Sequence, residues 1–320
     1  MNTTSAPPPT PTYDEVLARL RAVGQEHVLA FYDELPETYR HSLLNQAASL
    51  DLENLPSLID QYVLKKPVFE LPRDIQPAPY YAAEKGEAGI ENPGEVARAA
   101  KLRGEELLNM GRIAAFVVAG GQGSRLGFDG PKGCYPAGAV TKKSLFQMFA
   151  DQLLAAEERY GVPIPWYIMT SPLNHIATLH FFEQEQYFGL KKSNVMFFPQ
   201  GTLPSLEIKT GKMLMTSKHE IATNPDGHGG SLRALWQSGA LDDMKRRNIQ
   251  HISYFQVDNP IVKIIDPIFI GLHADTHGSW EGQAPSSGEM SSKMIPKAYP
   301  EEKLGIFCAV PFDGGIIGQP

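Results

Sequence analysis

The chain has 320 residues, a formal net charge of −7 at pH 7 and 42% hydrophobic residues. That balance supports a globular core and excludes a basic surface for nucleic acid or an anionic membrane, and no apolar run is long enough to span a bilayer. Two distant cysteines, Cys134 and Cys308, exclude a disulfide framework and a C-x-x-C zinc site, which makes a reducing compartment, the cytoplasm, the default expectation.

In chain order, the first twelve residues are rich in Pro, Thr and Ser and read as a disordered tail without signal-peptide features. From Tyr13 to Leu35 the apolar residues Val16, Leu17, Leu20, Val23, Val28, Leu29 and Phe31 recur with helical spacing. Two more helical segments follow near 39–50 and 52–63, and Pro67, Pro72, Pro77 and Pro79 then predict an extended linker. Asn92-Pro93 reads as the cap and first turn of a helix reaching Met110. From Arg112 onward strands at 113–118, 166–170, 195–199 and 251–257 alternate with helices at 144–160, 174–188, 229–238 and 241–248. Such alternation predicts an α/β sheet whose strand ends form the site. The expected organisation is a tail over 1–12, a helical region and linker over 13–110, and a core over 111–320.

The densest chemical signal is Ala119-Gly-Gly-Gln-Gly-Ser-Arg-Leu-Gly127, followed by Gly130-Pro-Lys-Gly133. Glycine lets the backbone turn sharply and approach a ligand closely. Exposed N–H groups at Gly120, Gly121 and Gly123, with the cations Arg125 and Lys132 beside them, suit a polyphosphate. A P-loop would end in Gly-Lys-Ser/Thr, and this loop has Ser124-Arg125-Leu126. A dinucleotide fingerprint is G-x-G-x-x-G, and here Gly121, Gly123 and Gly127 are spaced one residue too long, which disfavours a nicotinamide-dependent oxidoreductase. Asp258 follows the last strand, where a carboxylate faces the crevice of an open sheet, and is the best single candidate for a Mg²⁺ ligand. The basic residues Lys212, Lys218, Lys245, Arg246 and Arg247 read as a solvated charge run, and Leu179, Phe181, Phe182 and Phe188 as core.

The glycine string resembles the G-G-x-G-[ST]-R-L-G…P-K-G signature of sugar nucleotidyltransferases. Ile164–Ser171, Tyr187–Lys191, Phe197–Gly201, Pro225–Gly230 and Gln256–Asn259 are similar to segments of the UDP-N-acetylglucosamine pyrophosphorylase branch, in the same order. The resemblance implies a Rossmann-like mixed β-sheet core of the glycosyltransferase-A type with an N-terminal helical segment. It also implies UTP and a sugar 1-phosphate as substrates, Mg²⁺ as cofactor, and a uridylyltransferase as the enzyme. Arg125 and Lys132 are then the catalytic cations; Ala119, Gly120, Gly121, Gly123, Lys132, Gln200, Gly227 and Asp258 bind nucleotide; His228 meets the sugar. The matching glutamine faces uracil, whose edge suits an amide donor and acceptor. His228 departs from the branch, which usually carries Asn there, whereas UDP-glucose enzymes carry His followed by Gly-Asp; here Gly229-Gly230 follows, so both sugars stay open. The branch's later sugar and lysine segments do not occur before Pro320, so the expectation is the amino-terminal portion of a longer enzyme or a truncated product, a weak or inactive nucleotide binder.

Overall fold

The structure, a computed structural model, describes residues 11–65, 72–81, 93–278, 286–312 and 315–319. Residues 1–10 of the expected tail, Pro67 of the linker and Asn92 lie outside them. The first half of the chain forms α1 Tyr13–Ala22, α2 Glu37–Ser49, α3 Leu55–Leu58, β1 Gln76–Pro77, α4 Pro93–Asn109, β2 Ile113–Val118, α5 Leu145–Tyr160 and β3 Trp166–Thr170. Then come α6 His175–Gln184, β4 Val195–Pro199, β5 Thr202–Pro204, β6 Met215–Ser217, β7 Glu220–Ile221, β8 Thr223–Pro225, α7 Gly230–Gln237, α8 Ala240–Arg246, β9 His251–Gln256, α9 Pro267–Ala274, β10 Cys308–Phe312 and β11 Gly315–Gln319. Contacts divide these into two compact units, one within 1–70 and 201–230, the other within 71–200 and 231–320.

In the first unit, a capping box starts α1: Thr12 accepts from the Glu15 N–H while the Glu15 carboxylate accepts from the Thr12 N–H. The helix expected to run to Leu35 stops at Ala22, because Gly24 turns the chain with φ +68° and short 3-10 turns follow. The segment expected near 52–63 likewise splits, into α3 and a π-helical turn over Ile59–Leu64. The unit's core joins Leu20, Leu43, Leu44 and Leu55 to Met213 and Ile221 from the β6–β7 hairpin. Buried Gln25 donates to the Gly211 carbonyl and accepts from the Met213 N–H, and Gln46 brackets Ile221 in the same two-way fashion. Lys212 is tied to the Gly24 carbonyl, whereas Lys218, 58% exposed as a solvated lysine would be, pairs with Glu34 at 2.6 Å.

The second unit is built on a parallel sheet of order β4-β3-β2-β9. β2 and β3 are buried almost throughout, and their near-continuous apolar sequences match strands covered on both faces. Alternate residues feed opposite layers. Ile113, Ala115, Val117, Trp166 and Ile168 meet Phe146, Phe149 and Leu153 of α5, whereas Ala114, Phe116, Tyr167 and Met169 meet Leu235 of α7 and Met244 of α8. Ser144 caps α5 by accepting from the Gln147 N–H, and Gly161 at φ +70° ends it. Behind the first layer α4 and α9 cross at backbone contact: a Cβ on Gly104 would overlap the Pro267 carbonyl, and one on Gly271 the Ala100 carbonyl. Phe181, Phe182 and Phe188 do pack together, around a left-handed turn in which Gln186, Tyr187 and Phe188 all have φ near +50°.

The basic run at 245–247 is not simply solvated. Asp243 takes Tyr167 Oη at 2.7 Å, Arg247 Nε at 2.7 Å and Arg246 Nη2 at 3.0 Å, and Arg247 also donates to the Ser193 carbonyl. Burial pulls the Asp243 carboxyl up, but the Tyr167 and Arg247 hydrogen bonds and the arginine charges outweigh it and hold it below the ordinary carboxylate value. A depressed native value contributes stability above the unfolded carboxylate range that is lost as pH falls through the native one. Tyr167→Phe is therefore expected to lose about 1.5–3 kcal/mol at neutral pH, the range for a hydrogen bond to a charged group. The gap to the parent narrows in acid; denaturant midpoints at pH 7 and pH 3 check it, and a pH-independent gap would point to packing instead.

Candidate active site

The sheet changes direction at β2: the chain steps outward through β3 and β4, then returns to place β9 on the other side of β2. Ligand crevices in open parallel sheets form at the carboxyl ends of strands flanking such a switch. Both elements singled out from the sequence lie there. The glycine loop leaves β2, and Asp258 follows β9, whose exit is held beside β2 by the Val257 N–H on the Val118 carbonyl at 3.1 Å.

The loop folds back on itself. Gln122 and Pro131 form an antiparallel bridge, closed by Gly123 N–H to the Gly130 carbonyl at 2.9 Å and Lys132 N–H to the Gly121 carbonyl at 3.0 Å. Gly123 has no room for a side chain, since a Cβ would come 2.7 Å from the Phe128 ring. The fold-back brings Lys132 under the loop, where Nζ lies 2.8 Å from Asp258 Oδ1; the lysine side chain is 18% exposed and the carboxylate 56%. The Gly120, Gly121 and Gln122 N–H groups donate to no protein group among the described residues. Three successive donors with no protein acceptor, in a loop whose Gly121 lies beside the Lys132 ammonium, suit anionic oxygens.

Gln200 is 8% exposed, not the exposed amide expected of a loop. Its N–H donates to the Thr170 carbonyl at 2.7 Å, and a Cβ on Gly120 would overlap its side-chain oxygen. The glycine at 120 therefore makes room for the glutamine. Ala119 is fully buried, with its N–H on the Met169 carbonyl at 2.7 Å. Arg125 stands exposed on the short 3-10 turn Ser124–Leu126 and makes no ion pair or hydrogen bond among the described residues. Cys134 sits two residues beyond Lys132, and burial pushes its thiol up to about 12, which rules it out as a neutral-pH nucleophile. Gly227 and His228 belong to the first unit, in the turn after β8; Gly227 has φ +71° and His228 is exposed. In the same turn the Asp226 side chain packs where Gly201 and Gly230 leave no room for a Cβ.

Asn174, which no sequence motif marks, is a buried residue that joins the loop to its neighbour. It is 0% exposed, at the turn between β3 and α6, and bonds both the glycine loop and Ser171. An asparagine before a helical run reads as an ordinary N-cap, and nothing local signals that its amide reaches back to residues 119–121. Among the described residues no group of three or more His, Cys, Asp or Glu stands ready for a metal, and no helix is long and apolar enough to cross a membrane.

Comparisons with known proteins show the family. The chain is 35% identical over 321 residues to UDP-N-acetylglucosamine diphosphorylase 2 of Arabidopsis thaliana, covering 95% of this chain and 60% of that protein. It is 40% identical over 206 residues to UDP-N-acetylglucosamine pyrophosphorylase of Saccharomyces cerevisiae, covering 63% and 41%. The crystal structure of the uridine diphosphate N-acetylglucosamine pyrophosphorylase from Trypanosoma brucei superimposes with a TM-score of 0.69 at 26% identity, over 83% of this chain and 55% of that one. The chain thus spans roughly half of the length of the relatives that it matches. The family model described as UTP–glucose-1-phosphate uridylyltransferase matches residues 87–310, which contain the glycine loop, Lys132, Gln200 and Asp258. With the resemblance carried by that loop borne out across most of its length, the chain belongs to the UTP–glucose-1-phosphate uridylyltransferase family.

Proposed function

We propose that this site transfers a uridylyl group from UTP to N-acetylglucosamine 1-phosphate, releasing pyrophosphate. The observation that carries the reading is the glycine loop with three N–H groups that no protein group takes among the described residues, its Gly121 beside Lys132 of the Lys132–Asp258 pair. A phosphate oxygen of the sugar 1-phosphate forms the new bond to the α-phosphorus of UTP as the α–β bridge breaks, and the electron pair leaves with pyrophosphate. The nucleophile is already ionised, so no general base is needed; the site's work is alignment and stabilisation of charge. The loop donors orient the triphosphate, and Lys132 meets the negative charge that grows around the α-phosphorus. Arg125 supplies a second cation at the loop's outer edge.

Asp258 suits Mg²⁺ in one limited sense. It offers a single half-exposed carboxylate, one oxygen of which already faces Lys132, so the ion would be held by this one side chain and completed by phosphate oxygens and water. Bound there, Mg²⁺ would neutralise triphosphate charge. Gln200, fixed against Gly120, supplies an amide donor and acceptor for the uracil edge, and two cysteines that form no disulfide suit a reducing compartment such as the cytoplasm. His228, found in the motif where UDP-glucose enzymes carry His, makes glucose 1-phosphate the second acceptor to assay.

Titration calorimetry with the four nucleoside triphosphates and Mg²⁺ tests the base assignment. UTP is expected to bind at least tenfold more tightly than ATP or GTP, and Gln200→Ala to erase most of that preference. Equal binding of ATP by the parent would sink the uracil role. Pyrophosphate release with each sugar 1-phosphate tests the transfer itself.

A further inference from the structure

We infer that Asn174 is the positioning residue of the nucleotide loop, an inference that rests on the nucleotide reading of that site. Its Nδ2 donates to the Ala119 carbonyl at 3.1 Å and to the Gly121 carbonyl at 3.3 Å, while its Oδ1 accepts from the Ser171 N–H at 2.8 Å. A trans peptide is planar, with the carbonyl of one residue antiparallel to the N–H of the next. Drawing the Ala119 carbonyl toward Asn174 therefore turns the Gly120 N–H away from it. Drawing the Gly121 carbonyl the same way turns the Gln122 N–H away. These are two of the three donors left unoccupied in the loop. One buried amide thus sets two peptide planes whose free ends face the ligand side.

The need for such a device follows from the sequence. Glycine at 120 and 121 gives the backbone freedom to approach a ligand, and the same freedom eases a flip of the Ala119–Gly120 peptide, whose carbonyl is held by Asn174; the Gly121 carbonyl is shared between Asn174 and the Lys132 N–H at 3.0 Å. A flipped plane would present a carbonyl oxygen to a phosphate and repel it. Asn174 removes that alternative without contacting the ligand, because it is fully buried and a flip would leave its donors unsatisfied. The hydroxyl of Ser171, also buried and without a partner among the described residues, leaves Asn174 as the turn's one side-chain tie to the loop.

Asn174→Asp is the discriminating variant. It keeps the shape and the acceptor for the Ser171 N–H, loses both donors, and puts a negative charge behind an anion cradle. UTP affinity of the 320-residue chain is measured by calorimetry with Mg²⁺, alongside the thermal midpoint. Tyr167→Phe, whose hydrogen bond lies in the polar cluster with Asp243, serves as a stability control. The expected result is at least a tenfold loss of UTP affinity in Asn174→Asp, with Tyr167→Phe within twofold of the parent however far its midpoint falls. Affinity within twofold in Asn174→Asp overturns the assignment. So does a loss in Tyr167→Phe that tracks its midpoint, since general stability then explains both. If Asn174→Asp does not fold, Asn174→Ser is held to the same tenfold criterion. A parent chain that binds no UTP removes the nucleotide reading itself, an outcome distinct from an unaffected Asn174→Asp in a parent that binds.

Discussion

In a full-length version of the enzyme, replacing Lys132 by alanine is expected to lower the turnover of the proposed uridylyl transfer by about two orders of magnitude while leaving the fold intact. The size comes from removing one preorganised cation from a phosphoryl transition state, on the order of 3 kcal/mol. The stability of the fold should hardly register the change. The partner of Lys132 is a carboxylate 56% exposed, and such pairs contribute about 0–1 kcal/mol. Lys132→Arg should not restore the rate, because the larger planar head cannot occupy the same point beside Gly121, whose Cβ position lies 3.7 Å from the lysine Nζ. Pyrophosphate release at saturating substrates gives the turnover number, and urea midpoints give the stability. An unchanged turnover number would reduce Lys132 to a surface partner of Asp258.

A single methyl group at Gly271 is expected to destabilise the second unit by about 3 kcal/mol, the upper end of the range for overpacking. Two effects oppose each other. Alanine is the better helix former by about 1 kcal/mol in a helix interior. Against it, the new Cβ would overlap the Ala100 carbonyl, a backbone atom of α4 that yields only if the helix axes part. Parting them also disturbs Ala100, Leu107 and Leu108, all buried. The clash wins because rigid backbone lies on both sides. Gly104→Ala should behave alike through the Pro267 carbonyl, and the double variant should cost less than the sum, since one separation of the axes relieves both contacts. Urea unfolding measures all three; a Gly271→Ala chain more stable than the parent would mean that α4 and α9 do not meet at this distance.

The α/β alternation and the sheet's central strands were legible in the sequence for a physical reason, though the fold expected was a mixed sheet and β4-β3-β2-β9 is parallel. Ile113–Val118 and Trp166–Thr170 are covered on both faces, so each reads as an unbroken apolar run bounded by turn residues. The glycine loop was legible because close backbone approach requires glycine, and Lys132 and Asp258 because they stand at a loop and a strand end. The pairing of those two, more than a hundred residues apart, depends on β9 returning beside β2, which no local pattern encodes. β6 and β7 were missed because three- and two-residue strands carry too few alternations to show a period. Gly24 carried the break after α1, but the apolar spacing on either side of it continued the helical register and masked the stop. Asn174 and Arg247 share another limit. Each side chain makes long-range bonds to backbone carbonyls, and a polar residue on a helix gives no hint of which carbonyl it will find.

The first unit is discontinuous along the chain, and that has a consequence for biosynthesis. Its helices leave the ribosome well before its hairpin, yet the amides of Gln25 and Gln46 find their partners only at Gly211, Met213 and Ile221. At translation rates of about 5–20 residues per second, the interval between Gln46 and Ile221 is roughly ten to thirty seconds. Throughout it, Leu43, Leu44 and Leu55 lack the hairpin side chains that complete their core. Nascent chains stalled before residue 221 should therefore be far more sensitive to protease across residues 13–58 than chains stalled after it, and this amino-terminal segment is where a trigger-type chaperone would find the longest-lived exposed leucines.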